Sequence, residues 1–369
     1  MSTAAPCASR TRPTHSSNPC PCPTPRPVPD TAHGRVVPAR GYVPARWLPG
    51  PHLPTLWASL CRPLKAPPLS HERLELADGD FLDLTWTPDH GGPLVLLLHG
   101  LEGSHRSSYA RAMLAALSAA GYRGVLMHFR GCSGQPNRLP RSYHSGDTGD
   151  AASVVAHLTA RHGQPPYAAI GYSLGGNVLL KWLGECGAHA PFKTAVAVSV
   201  PFDLAACAER LTQGGSRLYQ WHLLRSLKAR FAAKFGTGDN PLGISELGAL
   251  DTFWRFDDAI TAPLHGFRDV HDYYARASCR PLLAGIRIPT LIVHAEDDPF
   301  VPAHAIPTAA ELGPQVSLEL AAHGGHVGFI TGPLPGVARY WLEQRIVAHL
   351  DEMRTALAHS VAGYNTGEP

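Results

Sequence analysis

Residues 171–176, Gly-Tyr-Ser-Leu-Gly-Gly, place a serine in a pattern typical of an enzymatic nucleophile. Residues 167–170 are apolar and short enough for a buried strand, and apolar residues recur at helical spacing after the glycines. A Gly-x-Ser-x-Gly sequence between a strand and a helix forms a tight turn that lifts the serine hydroxyl above the sheet edge. The pentapeptide alone is a weak signal. The strand–turn–helix context and the candidate partners of Ser173 therefore carry the interpretation.

A serine hydroxyl becomes a good nucleophile when an imidazole removes its proton and a carboxylate orients that imidazole. In proteins that use this turn, the acid and then the histidine follow the serine, each after a strand. The residues that fit are two adjacent aspartates and two nearby histidines: Asp297, Asp298, His323 and His326. They follow strand signals at residues 290–293 and 316–320. Their order and positions predict a Ser–His–Asp triad.

The residue types do not decide which aspartate or which histidine faces Ser173. Adjacent loop residues point in different directions, so each pair leaves two alternatives. Asp203, which follows the apolar run at 195–200, is a third candidate acid.

Acyl transfer also needs two N–H donors that stabilise the developing oxyanion. One is expected from Leu174, directly after the nucleophile. The other is expected from the loop at residues 99–103, His-Gly-Leu-Glu-Gly, which follows the first buried strand. Its glycines allow the backbone to approach the substrate, and the N–H of Leu101 is the predicted second donor.

The elements that position these residues alternate between strand and helix signals from about residue 70. Residues 74–76 and 81–86 alternate with period two, as half-exposed antiparallel strands do. Residues 94–98 are continuously apolar, which indicates a strand buried on both faces. Helix signals and further apolar runs follow in turn. The order predicts an α/β fold with a mostly parallel sheet flanked by helices.

The alternation stops at residues 204–285, a helix-rich stretch that we interpret as a lid over the site. Its apolar stripe comprises Leu224, Leu227, Phe231 and Phe235, to which Leu218 and Trp221 add apolar surface. Part of this surface is expected to line an acyl pocket. Basic residues beside the stripe would allow weak contact with a membrane surface.

The two ends of the chain differ from the middle. Residues 1–44 hold ten of the 35 prolines and few large apolar residues, which predicts a disordered tail. One folded domain would then cover residues 45–357, with a flexible C-terminus at 358–369. The Cys20-Pro21-Cys22 motif lacks a second cysteine pair, so neither a metal site nor a cofactor is expected.

Overall composition excludes several classes of protein. A net charge of +3 with no basic run interleaved with aromatics argues against a nucleic-acid partner. No stretch approaches the roughly 20 apolar residues of a membrane span. The scattered cysteines are typical of a reducing compartment, so a cytoplasmic location is predicted.

Several motifs beyond the serine turn are specific in combination. One is residues 47–56, Trp-Leu-Pro-Gly-Pro-His-Leu-Pro-Thr-Leu. The others are residues 99–103, 129–134, 136–138, 143–146, 171–177, 295–300 and 323–329. In these motifs the chain resembles the YheT-like branch of the α/β-hydrolases, also called the AB hydrolase 4 family. The resemblance runs from about residue 46 to residue 350, and it does not cover the tail.

This resemblance implies an α/β-hydrolase fold and hydrolysis of carboxylic esters with short or medium acyl chains, or of acylglycerols. Carried over position by position, it makes Ser173 the nucleophile, Asp298 the acid and His326 the base. An acyltransferase that uses the same triad is the enzymatic alternative. A non-catalytic binding protein that keeps the fold is the alternative from a different class.

Three arginines in the matching loop, Arg130, Arg138 and Arg141, have two interpretations. They could bind a carboxylate or phosphate on the substrate. More often such arginines tie a loop to nearby acids and carbonyls, and we favour that interpretation.

Overall fold

The computed structural model describes residues 33–62, 67–236, 240–244 and 246–365, with side chains described as far as residue 359. The elements up to the serine are β1 (Arg35–Pro38), α1 (His52–Leu60), β2 (Ser70–Glu75), β3 (Phe81–Trp86), β4 (Leu94–Leu98), α2 (Ser108–Ala119), β5 (Arg123–Met127), α3 (Thr148–His162) and β6 (Ala168–Tyr172). Those after it are α4 (Leu174–Cys186), β7 (Thr194–Val198), α5 (Leu204–Arg210), α6 (Ser216–Phe235), α7 (Phe253–Phe256), α8 (Ala262–Leu264), α9 (Val270–Ala277), β8 (Thr290–Ala295), β9 (Val316–Ala321), β10 (Ile330–Thr331), β11 (Arg339–Tyr340) and α10 (Trp341–Asn365).

Nine strands in the described part of the chain form one sheet in the order β1-β9-β8-β7-β6-β4-β5-β3-β2. β3 is antiparallel to both of its neighbours, and the other neighbouring pairs are parallel. The predicted α/β class with a mostly parallel sheet is confirmed. Because parallel strands end at the same edge, the segments that follow β4, β6, β8 and β9 meet there.

Alternating residues of the central strands pack against helices on opposite faces of the sheet. In β4, Leu96 and Leu98 pack in the same core as residues of α3 and α4. Val95 and Leu97 pack instead with α2 and α10. All four side chains are fully buried, and burying one such side chain stabilises the fold by about 1.5–3 kcal/mol. A strand with two buried faces explains why this segment is continuously apolar.

β3 is more deeply buried than its alternating pattern predicts, since only Asp83 is even partly accessible. The prediction of a half-exposed strand is therefore wrong for β3. The strand lies between β2 and β5, and its polar residue Thr85 is stabilised by hydrogen bonds. Its Oγ1 lies 2.9 Å from His128 Nε2 and 3.0 Å from His71 Nδ1. These contacts allow a hydroxyl to be buried at a position that the pattern places on an exposed face.

The chain between β7 and β8 contains helices α5 to α9 and, among its described residues, no strand. We call the helices of residues 204–285 the lid. They form an apolar cluster of their own that includes Leu224, Phe231, Phe253 and Phe256. The lid therefore packs as a unit on the strand-end edge rather than extending the sheet.

The N-terminal boundary of the fold lies earlier than the predicted residue 44. β1 pairs in parallel with β9, Arg35 Nε donates to Ser317 Oγ at 2.7 Å, and the Tyr42 ring packs on the rings of Phe329 and Trp341. The prediction of disorder is wrong for residues 33–44, and residues 1–32 lie outside the described residues. An edge strand needs little apolar sequence because it pairs through its backbone, which explains the missing signal.

The last helix of the fold extends beyond the predicted end of the domain at residue 357. α10 continues to Asn365, and the flexibility of the C-terminal segment stays a prediction. The last turns contain several alanines, the residue type with the highest intrinsic helix propensity. Residues 366–369 lie outside the described residues.

Deleting residues 2–40 should lower the melting temperature by a few degrees, because it removes β1 and exposes the edge of β9. Deleting only residues 2–32 is the matched control, since it leaves β1 in place. Thermal unfolding followed by circular dichroism compares the two. Equal melting temperatures would show that β1 contributes nothing to stability.

Candidate active site

Ser173 lies in the turn between β6 and α4 with φ 51° and ψ −120°, a conformation that non-glycine residues rarely adopt. The glycines around it are required by close backbone contacts. A Cβ on Gly171 would lie 2.5 Å from the carbonyl oxygen of Gly175, and a Cβ on Gly175 would lie 2.5 Å from the carbonyl oxygens of Leu98 and His99. Any side chain there would displace the backbone, so the turn needs glycine at both positions.

A continuous hydrogen-bonded chain links Ser173, His326 and Asp298. His326 Nε2 lies 2.9 Å from Ser173 Oγ, and His326 Nδ1 lies 2.8 Å from Asp298 Oδ2. Burial raises the pKa of Asp298, but the charge and hydrogen bond of His326 outweigh it and hold that pKa below its usual value. An ionised Asp298 only accepts hydrogen bonds, so His326 carries its proton on Nδ1. Nε2 is then free to accept the proton of the serine.

The other candidate acids and base do not contact Ser173. Asp297 Oδ1 accepts the N–H groups of Gly324 and Gly325, each at 2.9 Å, and its Oδ2 faces the exposed His323. Asp203 accepts the N–H of Ala206 and so caps the N-terminus of α5. The structure thus separates two adjacent carboxylates: Asp297 holds the loop backbone, whereas Asp298 holds the imidazole of the histidine.

The loop at residues 99–103 is held by two tyrosine hydroxyls. The N–H of Gly100 donates to Tyr109 at 2.7 Å, and the N–H of Glu102 donates to Tyr143 at 2.9 Å. Glu102 has φ 56°, so the loop adopts a tight left-handed conformation there. No motif or spacing in the sequence marks these two tyrosines as residues that hold the loop.

Leu101, in the middle of this loop, has an N–H group without an acceptor among the described residues, whereas its neighbours Gly100 and Glu102 each have one. Leu174 is the first residue of α4, so its N–H has no acceptor within the helix. The loop lies beside Ser173, because a Cβ on Gly100 would be 3.2 Å from the Ser173 Cβ. Both N–H groups are available, and their role as oxyanion donors stays a prediction.

The buried side chain of His99 also holds the loop at residues 99–103 in place. Its Nδ1 lies 2.7 Å from the carbonyl oxygen of Gly100, and its Nε2 accepts the N–H of Phe129 at 3.1 Å. Complete burial lowers the pKa of His99 to about 3, so the ring is neutral and Nδ1 is its donor. The ring therefore connects the ends of β4 and β5.

The motif at residues 47–56 contacts the loop that carries His326 through Thr55. Thr55 Oγ1 donates to the carbonyl oxygen of Pro51 at 2.7 Å and accepts the N–H of His326 at 2.9 Å. Gly325 packs so closely here that a Cβ would lie 2.4 Å from the Pro51 oxygen. α1 thus positions the backbone of the histidine.

The three loop arginines are all paired with acids, in agreement with the favoured interpretation. Their partners are Asp78, Asp80 and Asp150 for Arg130, Glu75 for Arg138, and Asp147 for Arg141. Arg130 and the side chain of Asp80 are buried. These ion pairs tie the loop to β2, to the turn that follows it and to the N-terminus of α3.

A pocket lies between the sheet edge and the lid and encloses about 1260 Å³ of space, including its open mouth. Ser173, His326, Leu101 and Leu174 are at its wall. Much of the opposite wall is apolar and comes from the lid. The pocket joins the reactive groups to a surface that suits an acyl chain.

The α6 stripe contributes only in part to this wall. Leu227, Phe231 and Phe235 line the pocket, while Leu224 is buried inside the lid. The prediction that Leu218 and Trp221 add to the same surface is wrong, because they are 72% and 61% exposed. Residues 218 and 221 are three apart and share the outer face of the helix.

Comparisons with known proteins agree with this architecture. A family profile described as "alpha/beta hydrolase fold" matches residues 93–333. The chain is 45% identical over 312 residues to "Putative esterase YheT" of Escherichia coli (strain K12), which covers 83% of this chain and 91% of that protein. It is 32% identical over 310 residues to "Phospholipase ABHD3" of Mus musculus, which covers 78% of this chain and 75% of that protein.

Among solved structures, the esterase Pf2001 of Pyrococcus furiosus has a TM-score of 0.52 at 18% identity, covering 78% of this chain and 91% of that chain, a likeness in fold alone. Fold, profile and identity together define an α/β-hydrolase. The chain belongs to the YheT-like branch of the α/β-hydrolase family, as its motifs predict.

Replacing Asp298 with asparagine should lower kcat by about 10⁴-fold, because an amide no longer fixes the Nδ1–H tautomer of His326. Asp297→Asn is the matched control. Its amide oxygen still accepts the two loop N–H groups, so we expect less than about a tenfold loss. Steady-state rates on a p-nitrophenyl ester measure both. A larger loss for Asp297→Asn would reverse the assignment of the acid.

Proposed function

We propose that this protein, an enzyme of the carboxylic-ester hydrolase class, is a serine esterase that works through an acyl-enzyme. Ser173 Oγ attacks the ester carbonyl while His326 Nε2 takes its proton, and Asp298 stabilises the resulting imidazolium. The N–H groups of Leu101 and Leu174 stabilise the oxyanion. His326 then protonates the leaving alcohol, and a water molecule activated by the same imidazole releases the acid. The hydrogen-bonded chain from Asp298 to Ser173 carries this proposal.

Esters with short or medium acyl chains, or acylglycerols, are the proposed substrates. The pocket supports this because its apolar wall is shared by several lid helices. Each methylene buried there would contribute about 0.8 kcal/mol to binding, so a few methylenes change the preference by orders of magnitude.

The lid is also the proposed site of weak contact with a membrane surface. The exposed Leu218 and Trp221 support this, and the guanidinium of Arg225 lies 5.2 Å from the Trp221 ring centroid. Among the described residues, no helix has the length and apolarity needed to cross a bilayer. A cytoplasmic location stays our proposal, supported by the free thiols of the cysteines within the described ranges.

Labelling with a fluorophosphonate tests the proposed chemistry. We expect the probe to modify Ser173, and mass spectrometry of the digested protein locates the modified peptide. Ser173→Ala should abolish both labelling and ester hydrolysis. A label on another serine, or hydrolysis that survives in Ser173→Ala, would contradict the assigned nucleophile, and a protein that is neither labelled nor active would be a binding protein.

Replacing Phe231 with alanine should shift the preferred chain length along a p-nitrophenyl ester series, with little change in the rate on the acetate. The reason is that Phe231 lines the pocket on α6, where its loss enlarges the space for the acyl chain. Trp221→Ala is the matched control, because that ring lies on the exposed face of the same helix. A uniform loss of activity in Phe231→Ala across all chain lengths would show that the ring has only a structural role.

A further inference from the structure

Lys234 is a cation on the pocket wall, and among the described residues it has no acidic partner. Its Nζ donates to Asn137 Oδ1 at 2.5 Å and to the carbonyl oxygen of Arg141 at 2.7 Å. Both acceptors are neutral, and within the described ranges no carboxylate forms an ion pair with this lysine. An ammonium group has three N–H donors, so among the described residues one donor has no hydrogen-bond acceptor, and the centroid of the Phe235 ring lies 5.5 Å from Nζ.

The other cations around this site are already neutralised. Arg230, one turn earlier on α6, donates through Nε and Nη2 to Glu102 Oε2 at 3.2 and 3.0 Å. Arg141 pairs with Asp147. Asp80 forms no direct hydrogen bond with Lys234. Asn137 bridges the two residues, because its Oδ1 accepts from Lys234 and its Nδ2 donates to Asp80 Oδ2 at 2.6 Å.

The surroundings of Lys234 make an anionic ligand favourable. Burial lowers the pKa of Lys234 to about 8, while the negative charge of Asp80 acts in the opposite direction. The group is still mostly protonated at neutral pH. A partly desolvated ammonium without a facing carboxylate is energetically costly, and a bound anion would remove that cost.

We propose that Lys234 is an anion-binding subsite of the pocket, and that the enzyme prefers esters that carry a carboxylate or phosphate group away from the scissile bond. This inference rests on the proposed esterase function. Arg230 contacts Glu102, within the loop at residues 99–103, and Lys234 lies four residues further, about 6 Å along the helix. The anion would therefore lie several bonds from the reacting carbonyl.

Two matched pairs of substrates test this subsite and locate the anion. The first pair is mono-octanoylglycerol and mono-octanoylglycerol phosphate, with the anion on the alcohol side. The second is p-nitrophenyl octanoate and the mono-p-nitrophenyl ester of suberic acid, with the anion on the acyl side. In the wild type, kcat/KM should be about tenfold higher for the anionic member of one pair. The pair that shows the preference identifies the side.

Lys234→Met keeps most of the length of the unbranched side chain and removes its charge. It should raise KM for the preferred anionic ester about 10- to 100-fold with kcat almost unchanged, and alter the neutral ester less than about threefold. Lys234→Arg should recover part of the affinity. Lys228→Met is the control on the same helix, because Lys228 donates to the carbonyl oxygen of Gly248 and does not line the pocket.

Three outcomes would overturn the subsite. The first is a wild type that shows no preference in either pair. The second is a Lys234→Met variant that loses activity equally on neutral and anionic esters. The third is a Lys228→Met variant with the same selective effect as Lys234→Met. An equal loss with a lower melting temperature would mean that Lys234 only joins the lid to the loop at residues 136–141. If the wild type hydrolyses none of the four esters, the proposed function itself fails.

Discussion

The close packing of one backbone turn on another is the constraint on which the active site depends. The turn that carries Ser173 lies directly against the end of β4 and the loop at residues 99–103, with Gly175 under the carbonyl groups of Leu98 and His99. Because no side chain separates them, Ser173 and the predicted oxyanion donors cannot shift independently. Preorganisation of this kind is the main source of electrostatic catalysis in acyl transfer.

The sequence predicted the parts of the fold that follow from strong periodicity. β4 was placed correctly because a strand buried on both faces must be apolar throughout. β1 was missed because an edge strand that pairs through its backbone leaves no such pattern. β3 was placed correctly but expected to be half exposed, since hydrogen bonds to Thr85 that allow its burial come from distant segments.

The residues of the site likewise divide into those marked by a local sequence pattern and those placed by tertiary contacts. Ser173 could be predicted from a local motif, because the geometry of a tight turn restricts nearby residue types. The choice of Asp298 over Asp297 came from the family resemblance alone, since which of two adjacent side chains faces inward depends on the tertiary structure. Tyr109 and Tyr143 could not be recognised, because their hydroxyls act on a loop through folding contacts and no spacing marks them.

The contact between Thr55 and the backbone of His326 has a consequence for how the enzyme can be divided. The family profile begins at residue 93, and the sheet interior alone would place the start of the domain near β3. A fragment chosen on either basis would contain Ser173, Asp298 and His326 but lack α1, whose Thr55 holds the backbone of His326. We therefore expect a working shortened enzyme to begin upstream of the region that sequence profiles recognise, and a shortened chain for crystallisation or domain fusion should keep both β1 and α1.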